Sequence, residues 1–222
     1  MRRSTRGGLA AVAATALLLS ACGGDGADEA AVKACQITDT GGIDDKSFNE
    51  TAWNGFLRAE EELGVEVKYL ESTSEADYDP NIQAFLDEGC DIIITVGFLL
   101  GDATEAAAQA NPDTKFAIVD YAYEAEYDNL LGMVFATEQA GFLAGYVSAA
   151  VTETGTVGTW GGVNIPPVSA FMQGYLAGVN YHNDQKGTSV EVLGWDGADG
   201  VFIGSFEAQD LGNAATAEML QN

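Results

Sequence analysis

Basic residues are scarce in this sequence. Lysine and arginine together number 9 against 34 aspartates and glutamates, with a single histidine, so the formal net charge at pH 7 is −25. A chain of this charge repels nucleic acid and other anionic ligands, and we expect no nucleic-acid partner. The acidic excess is accounted for by solubility and does not identify a ligand by itself.

Long apolar runs are missing as well. The apolar run over residues 9–19 follows three arginines and leads into "LSAC", which ends at Cys22. It is shorter than the ~20 residues of a membrane span and predicts a secretory signal peptide over residues 1–21. The site resembles a bacterial lipobox, which implies a lipid on Cys22 and anchoring at the extracytoplasmic face of the cell membrane. The alternative is an ordinary signal peptide with an incidental cysteine. Residues 22–32 are predicted to be a flexible acidic tether.

Cysteine is rare, with 3 residues in the chain. Neither the cysteines nor the one histidine have metal-ligand spacing, so we expect no metal and no other cofactor. Cys35 and Cys90 each stand at the front of a predicted strand, and these strands are predicted neighbours. Export would place both in an oxidising compartment. The sequence leaves open whether they pair, because disulfide geometry is restrictive.

Apolar, β-type runs alternate with helical patterns over residues 33–133. The runs "KACQITD", "VEVKYL", "DIIITVG" and "KFAIVDY" are apolar at consecutive positions, as in strands covered on both faces. The segments between them carry helix signals, such as Gly89 at the end of the second and Pro112 after the third. The alternation predicts an α/β lobe with a doubly wound parallel sheet.

The pattern restarts over residues 134–222. Leu143, Tyr146, Val147 and Ala150 predict an apolar face on the first helix of this second α/β lobe. Two internal strands and a crossing segment are too few for a covered sheet, so the second lobe is expected to be incomplete. The chain is accordingly predicted to be a truncated gene product or a fragment.

The segment "DTGGIDDKSFNE", residues 39–50, carries the strongest local signals. In open parallel sheets, ligands bind where strand ends lead into helix starts, and Asp39 lies at such an end. Ser47 and Glu50 predict a capping box, which makes Phe48 and Asn49 the first two helical residues. The segment therefore predicts a carboxylate, an aromatic face and an amide on one rim of a cleft.

Five motifs together are similar to a known family: "TDTGGIDDKSFNETAWNGF", "VGFLLGDA", "FAIVDY", "GGVNIPPVSAFMQGYLAGVN" and "FIGSF". They resemble the basic membrane protein family of substrate-binding lipoproteins, the purine nucleoside receptors of ABC importers. The resemblance runs from about residue 33 to the last residue. It implies a type I periplasmic-binding-protein fold with a nucleoside between two lobes, ABC permease subunits as partners, and a monomer.

The resemblance also implies a set of ligand-binding residues. Asp39 resembles the family aspartate that accepts hydrogen bonds from the ligand, and Asn49 a neighbouring polar contact. Phe48 resembles the ring that stacks on the base, and Phe206 the opposite ring. Asp120 resembles the carboxylate that faces the ribose. The family's lysine soon after "GSF" is missing, and its further ribose-binding Asp and Lys lie in a C-terminal part that this chain lacks.

Structural interpretations compete with these roles. Asp39 is also typical of a turn cap, Phe48 of a buried ring, and Phe202 is an alternative to Phe206 as the cavity wall. Further aromatic residues on apolar stripes or in strands are predicted to be core residues: Trp53, Phe142, Trp160 and Phe171.

No enzyme motif is present: there is no Gly-x-Ser-x-Gly elbow, no metal set and no phosphate-binding Gly-x-x-x-x-Gly-Lys. We therefore expect a binding protein rather than an enzyme. Two alternatives to nucleoside capture stay open, namely a sugar or signalling-furanose binding protein of the same fold, and a surface sensor or adhesion module without a transport role.

Overall fold

The first part of the chain forms a parallel sheet of five strands in the computed structural model, which describes residues 31–221. The predicted signal peptide and the lipidation site Cys22 lie outside the described residues. The strands are β1 (Lys33–Thr38), β2 (Glu66–Leu70), β3 (Ile92–Val96), β4 (Lys115–Val119) and β5 (Leu130–Met133). Their order is β2-β1-β3-β4-β5. The four predicted strands of this sheet are confirmed to within one or two residues at their ends.

Helices connect these strands as the alternation predicts. They are α1 (Phe48–Leu63), α2 (Tyr78–Glu88) and α3 (Gly101–Ala110). The α2 helix ends at Gly89, whose φ of 74° lies in the left-handed region that glycine adopts without strain. The predicted helix boundaries at Gly89 and before Pro112 are thus confirmed.

The core of the five-stranded sheet is apolar and carries one covalent link. Ile37, Ile93 and Ile118 are fully buried on the three central strands. A disulfide joins Cys35 of β1 to Cys90, which precedes β3, with a Cα–Cα distance of 6.2 Å. The disulfide links β1 and β3. The carboxyl ends of these two strands border the cavity described below.

A second, smaller parallel sheet follows, and its two strands are β6 (Thr156–Gly158) and β7 (Glu191–Leu193). The helices of this part are α4 (Thr137–Val151), α5 (Pro166–Lys186) and α6 (Gln209–Met219). The sheets themselves are a structural finding, whereas the lobe boundary between residues 133 and 134 stays a prediction.

The α4 and α5 helices approach each other most closely at glycines, and of the predicted apolar face Tyr146 makes ring contacts with α5. A Cβ on Gly145 would overlap the carbonyl oxygen of Tyr175, and a Cβ on Gly178 would overlap that of Phe142. Gly141 and Gly174 make equivalent approaches. Each helix therefore carries two glycines at a spacing of four residues, which bring the two backbones into contact.

The residues predicted to form an apolar face on α4 do so, but most of this face is exposed among the described residues. Leu143, Val147 and Ala150 are exposed, and Tyr146 is half-buried, whereas Gly145 and Ala149 are buried. Apolar periodicity identified the bulky residues of the helix, but the close contact requires residues without bulk.

Among residues 31–221, no helix combines the length and the apolarity that crossing a bilayer requires.

Candidate functional site

A cavity of about 320 Å³ lies between the carboxyl ends of β1, β3 and β4 and the start of α5. Its volume falls in the range of small-molecule sites. Four of the five predicted ligand-binding residues line it, namely Asp39, Phe48, Asp120 and Phe206. The other lining residues are Thr40, Gly41, Asp45, Ser47, Gly97, Phe98, Leu99, Ile165, Pro167, Val168, Phe171 and Glu207.

Asp39 is the most constrained polar group of the cavity. Its backbone N–H donates to the carbonyl oxygen of Val96 at 3.0 Å, and its Oδ1 accepts a hydrogen bond from Asn49 Nδ2 at 3.0 Å. The other carboxylate oxygen, Oδ2, lies against Gly97, where a Cβ would overlap it. The carboxylate therefore lies between the side-chain amide of Asn49 and the backbone of Gly97.

Burial raises the pKa of Asp39 from its ordinary value of 3.8 to about 6. The hydrogen bond from Asn49 opposes this effect, and the negative charges of Asp45 and Glu207 add to it. Asp39 is therefore ionised at neutral pH, but it has a stronger tendency to bind a proton or a hydrogen-bond donor than an exposed carboxylate has.

The α1 helix begins at Phe48, as predicted, but the predicted capping box is wrong. The Ser47 side chain makes no capping hydrogen bond. Instead, the Asp45 carboxylate accepts backbone N–H bonds from Ser47 and Asn49 at 2.9 Å each, and from Glu50 at 3.1 Å. Burial alone would raise the pKa of Asp45, but these bonds outweigh it and lower the pKa. The cap therefore keeps a second negative charge at the cavity.

Aromatic rings form much of the remaining cavity wall. Phe48 and Phe206 are 40% and 51% exposed, so both present ring surface to the cavity. Gly162 leaves the space in which the Phe206 ring lies, since a Cβ there would overlap it. Phe202 does not line the cavity and instead packs edge-on against Trp195, with ring centroids 6.2 Å apart. The alternative that placed Phe202 in the wall is therefore not supported.

Phe171 was predicted to be a core residue, and this prediction is wrong. It lies in the first two turns of α5, is 45% exposed and lines the cavity. Trp53, Phe142 and Trp160 are half-buried rather than fully buried. Phe98 is a further ring that sequence reasoning missed, and it follows Gly97 directly after β3. Its position directly after a predicted apolar strand could have indicated that Phe98 borders the cavity.

Asp120 follows β4 in an unusual backbone conformation. Its φ of 74° is left-handed, which is uncommon for a residue other than glycine. Its N–H donates to the carbonyl oxygen of Met133 at 2.7 Å, so the pairing with β5 continues through it. Burial raises its pKa. Backbone strain of this kind is concentrated at functional sites.

Asn49 does not line the cavity. It is 1% exposed and contacts the cavity through Asp39. Its role as a direct ligand contact stays a prediction.

The charged residues of the cavity wall all have the same sign. Asp39, Asp45, Asp120 and Glu207 line it, and none of the described residues in the wall is a lysine, arginine or histidine. Among residues 31–221, no three His, Cys, Asp or Glu side chains are arranged to hold a metal ion. The site therefore offers hydrogen-bond acceptors and flat apolar surface to a ligand that donates hydrogen bonds.

Comparison with known proteins identifies the family of the chain. The family model described as "ABC transporter substrate-binding protein PnrA-like" (Bmp) matches residues 32–199. The chain belongs to the Bmp family. Basic membrane protein A of Borreliella burgdorferi is 33% identical over 205 residues, covering 91% of this chain and 57% of that protein. The ABC transporter nucleoside-binding protein BmpA of Lactococcus lactis is 35% identical over 162 residues, covering 71% of this chain and 46% of that protein.

Solved structures confirm the fold of this Bmp chain. An ABC transporter solute-binding protein from Aeropyrum pernix K1 matches with a TM-score of 0.71 and 33% identity, covering 86% of this chain and 52% of that one. An ABC sugar transporter subunit from Rhodobacter sphaeroides, at a TM-score of 0.56 and 16% identity, shares the fold alone. The fold is that of type I periplasmic binding proteins. The Bmp chain spans a little over half the length of the first relatives it matches, 58% and 57%.

Proposed function

We propose that this protein binds a nucleoside, with purine nucleosides preferred, between the lobes formed by residues 33–133 and 134–222. The observation that carries the proposal is the combination of exposed phenylalanine rings and carboxylate acceptors in one cavity. A purine base has two flat faces and N–H donors at its edge, and the ribose adds hydroxyl donors. Each part of such a ligand therefore has a matching group in the wall.

The proposed roles follow from chemistry and placement. Phe48, from the first part of the chain, and Phe206, from the second, stack on the base. Asp39 accepts hydrogen bonds from N–H groups, and Asp120 accepts them from ribose hydroxyls. Binding leaves the ligand chemically unchanged.

The wider role is part of the same proposal. As a Bmp family member, the protein would present its ligand to the permease subunits of an ABC importer. A lipid on Cys22 would hold it, as a monomer, at the extracytoplasmic face of the cell membrane. The name of the Lactococcus lactis relative, a nucleoside-binding protein, supports the ligand class.

Removing the ring of Phe48 or Phe206 is expected to weaken nucleoside binding. Stacking on an aromatic side chain is worth ~1 to 3 kcal/mol per base, so Phe48→Leu or Phe206→Leu should raise the Kd about 5- to 150-fold. Isothermal titration calorimetry with guanosine, inosine, adenosine and ribose measures this change.

Phe135→Leu is the matched control, because Phe135 is exposed and lies outside the cavity wall. Its Kd should equal that of the unmodified chain. Tight binding of ribose without binding of any nucleoside would reject the proposal in favour of a sugar-binding protein. An unchanged nucleoside Kd in both cavity variants would reject the stacking roles.

Nucleoside 5′-monophosphates are expected to bind at least about 100-fold more weakly than their nucleosides. Like charges brought together at an interface cost several kcal/mol, and the four wall carboxylates would face the phosphate. Glu207→Gln should reduce the ratio between the Kd of the monophosphate and the Kd of the nucleoside. Added salt should reduce it as well, because salt screens exposed charges. Competition titrations with guanosine and its monophosphate at two salt concentrations measure it. A difference that neither salt nor Glu207→Gln changes would show that the exclusion is steric.

A further inference from the structure

A buried chain of two side-chain amides leads to the Asp39 carboxylate. Gln36 on β1 is fully buried, and its Nε2 donates to the backbone carbonyl oxygen of Asn49 at 3.2 Å. Asn49 is also buried, and its Nδ2 donates to Asp39 Oδ1 at 3.0 Å. Only the last member of this chain, Asp39, reaches the cavity wall.

The orientation of both amides is informative. Gln36 Oε1 and Asn49 Oδ1 are buried and have no hydrogen-bond partner among the described residues. Buried polar atoms without partners are uncommon and costly. Each amide thus uses its NH₂ group in this chain while its oxygen stays unpaired. The reverse orientation of Asn49 would direct its oxygen at an Asp39 oxygen, and two acceptors repel each other.

We propose that Asn49 is a positioning residue that holds the Asp39 carboxylate as a hydrogen-bond acceptor facing the cavity, and that Gln36 fixes Asn49 in turn. Asn49 donates to Oδ1, and the absence of a side chain at Gly97 leaves the space that Oδ2 occupies. The free acceptor capacity of the carboxylate is then directed to the ligand. In this proposal Asn49 acts on binding through Asp39, which replaces the direct ligand contact that the family resemblance implies for it.

The charged groups around Asp39 make the amide donor necessary. Asp45 precedes α1 and Glu207 precedes α6, and both charges favour the protonated form of Asp39. Tyr78, at the start of α2, is neutral, since burial raises its pKa to about 12. Among the side chains of residues 31–221 with the largest effects on the pKa of Asp39, Asn49 alone favours the ionised form. Losing this donor should therefore let Asp39 hold its proton to higher pH.

The substitution Asn49→Leu tests this, because it keeps the number and branching of the side-chain heavy atoms and removes the donor. The backbone N–H of residue 49 still donates to Asp45, so the helix cap is retained. Titration of the Asp39 carboxyl by ¹³C NMR, assigned with Asp39→Asn, should show a midpoint near 6 in the unmodified protein. In Asn49→Leu the proton-dissociation constant should fall at least about tenfold, because hydrogen bonds to charged groups are strong. Gln36→Leu should cause a smaller change in the same direction.

A second readout rests on the proposed nucleoside function. The affinity of Asn49→Leu for guanosine should fall more at pH 6 than at pH 8.5, where Asp39 is ionised in both proteins. A merely structural defect would lower the affinity equally at both pH values. The control is Thr104→Val, which removes another buried side-chain hydrogen bond, to Thr95, and should leave the Asp39 titration unchanged.

The outcomes separate the two proposals. If Asn49→Leu leaves the Asp39 titration unchanged, or if Thr104→Val shifts it equally, the positioning role is overturned even when guanosine binds. If the titration shifts as expected but no nucleoside binds the unmodified protein, the positioning role stands and the proposed function is overturned.

Discussion

Replacing Asp39 with asparagine is expected to stabilise the fold and to weaken nucleoside binding at the same time. The pKa of Asp39 is raised from 3.8 to about 6, so the folded protein holds this proton more tightly than the unfolded chain does. Stability is therefore lost as the pH rises from about 4 to about 6, and the loss is complete above the folded-state pKa. A difference of about 2 pH units corresponds to at most about 3 kcal/mol, which Asp39→Asn should recover at pH 7.5.

Urea unfolding at a series of pH values measures the stability effect. The advantage of Asp39→Asn should be small near pH 4 and should grow up to pH 7. The Kd for guanosine should rise roughly 10- to 150-fold at pH 7.5, because hydrogen bonds to a charged acceptor are worth about 1.5 to 3 kcal/mol. If Asp39→Asn is less stable than the unmodified chain at both pH 4 and pH 7.5, burial of the ionised Asp39 carboxylate does not destabilise the fold as described.

Adding one methyl group at Gly145 is expected to lower stability strongly. In Gly145→Ala, the new Cβ would overlap the carbonyl oxygen of Tyr175, and backbone atoms cannot rotate away as a side chain can. The α4 and α5 helices must then move apart at this contact. Overpacking of this kind typically costs 1 to 3 kcal/mol and sometimes more, so we expect a loss of about 2 kcal/mol or more in the free energy of unfolding.

The matched control is Gly55→Ala, which makes the same chemical change on an exposed face of α1. A Cβ on Gly55 would have no heavy atom within 4 Å. Alanine is the better helix former by about 0.5 to 1 kcal/mol, so this variant should be more stable than the unmodified chain. Thermal unfolding of both variants gives the comparison. A destabilised Gly55→Ala, or a neutral Gly145→Ala, would contradict the packing described for α4 and α5.

The five-stranded sheet was largely predictable because its three central strands are covered on both faces. Such strands are apolar at consecutive positions, and "DIIITVG" shows this directly in β3 (Ile92–Val96). The positions of Asp39 and Asp120 followed, since each comes directly after such a run. The local sequence pattern could therefore locate those cavity residues that directly follow a strand.

The rest of the cavity wall depended on contacts that local pattern does not encode. Phe171 has the spacing of a core residue in α5, and only the approach of the first part of the chain makes it a wall residue. Ser47 fits the capping-box pattern, but Asp45 lies two residues earlier and its charged carboxylate takes the same N–H groups. Competition between two suitable acceptors is decided by loop geometry, which the sequence does not show.

The glycine contact between α4 and α5 has a mechanical consequence for the cavity. Phe171 and Val168 of the wall belong to the first turns of α5, and Gly174 and Gly178 bring the backbone of the same helix against α4. Ring contacts such as that of Tyr146 with His182 flank these glycines. The two helices cannot slide past each other without a clash of backbone atoms, so a shift of α5 around a ligand is expected to carry α4 with it.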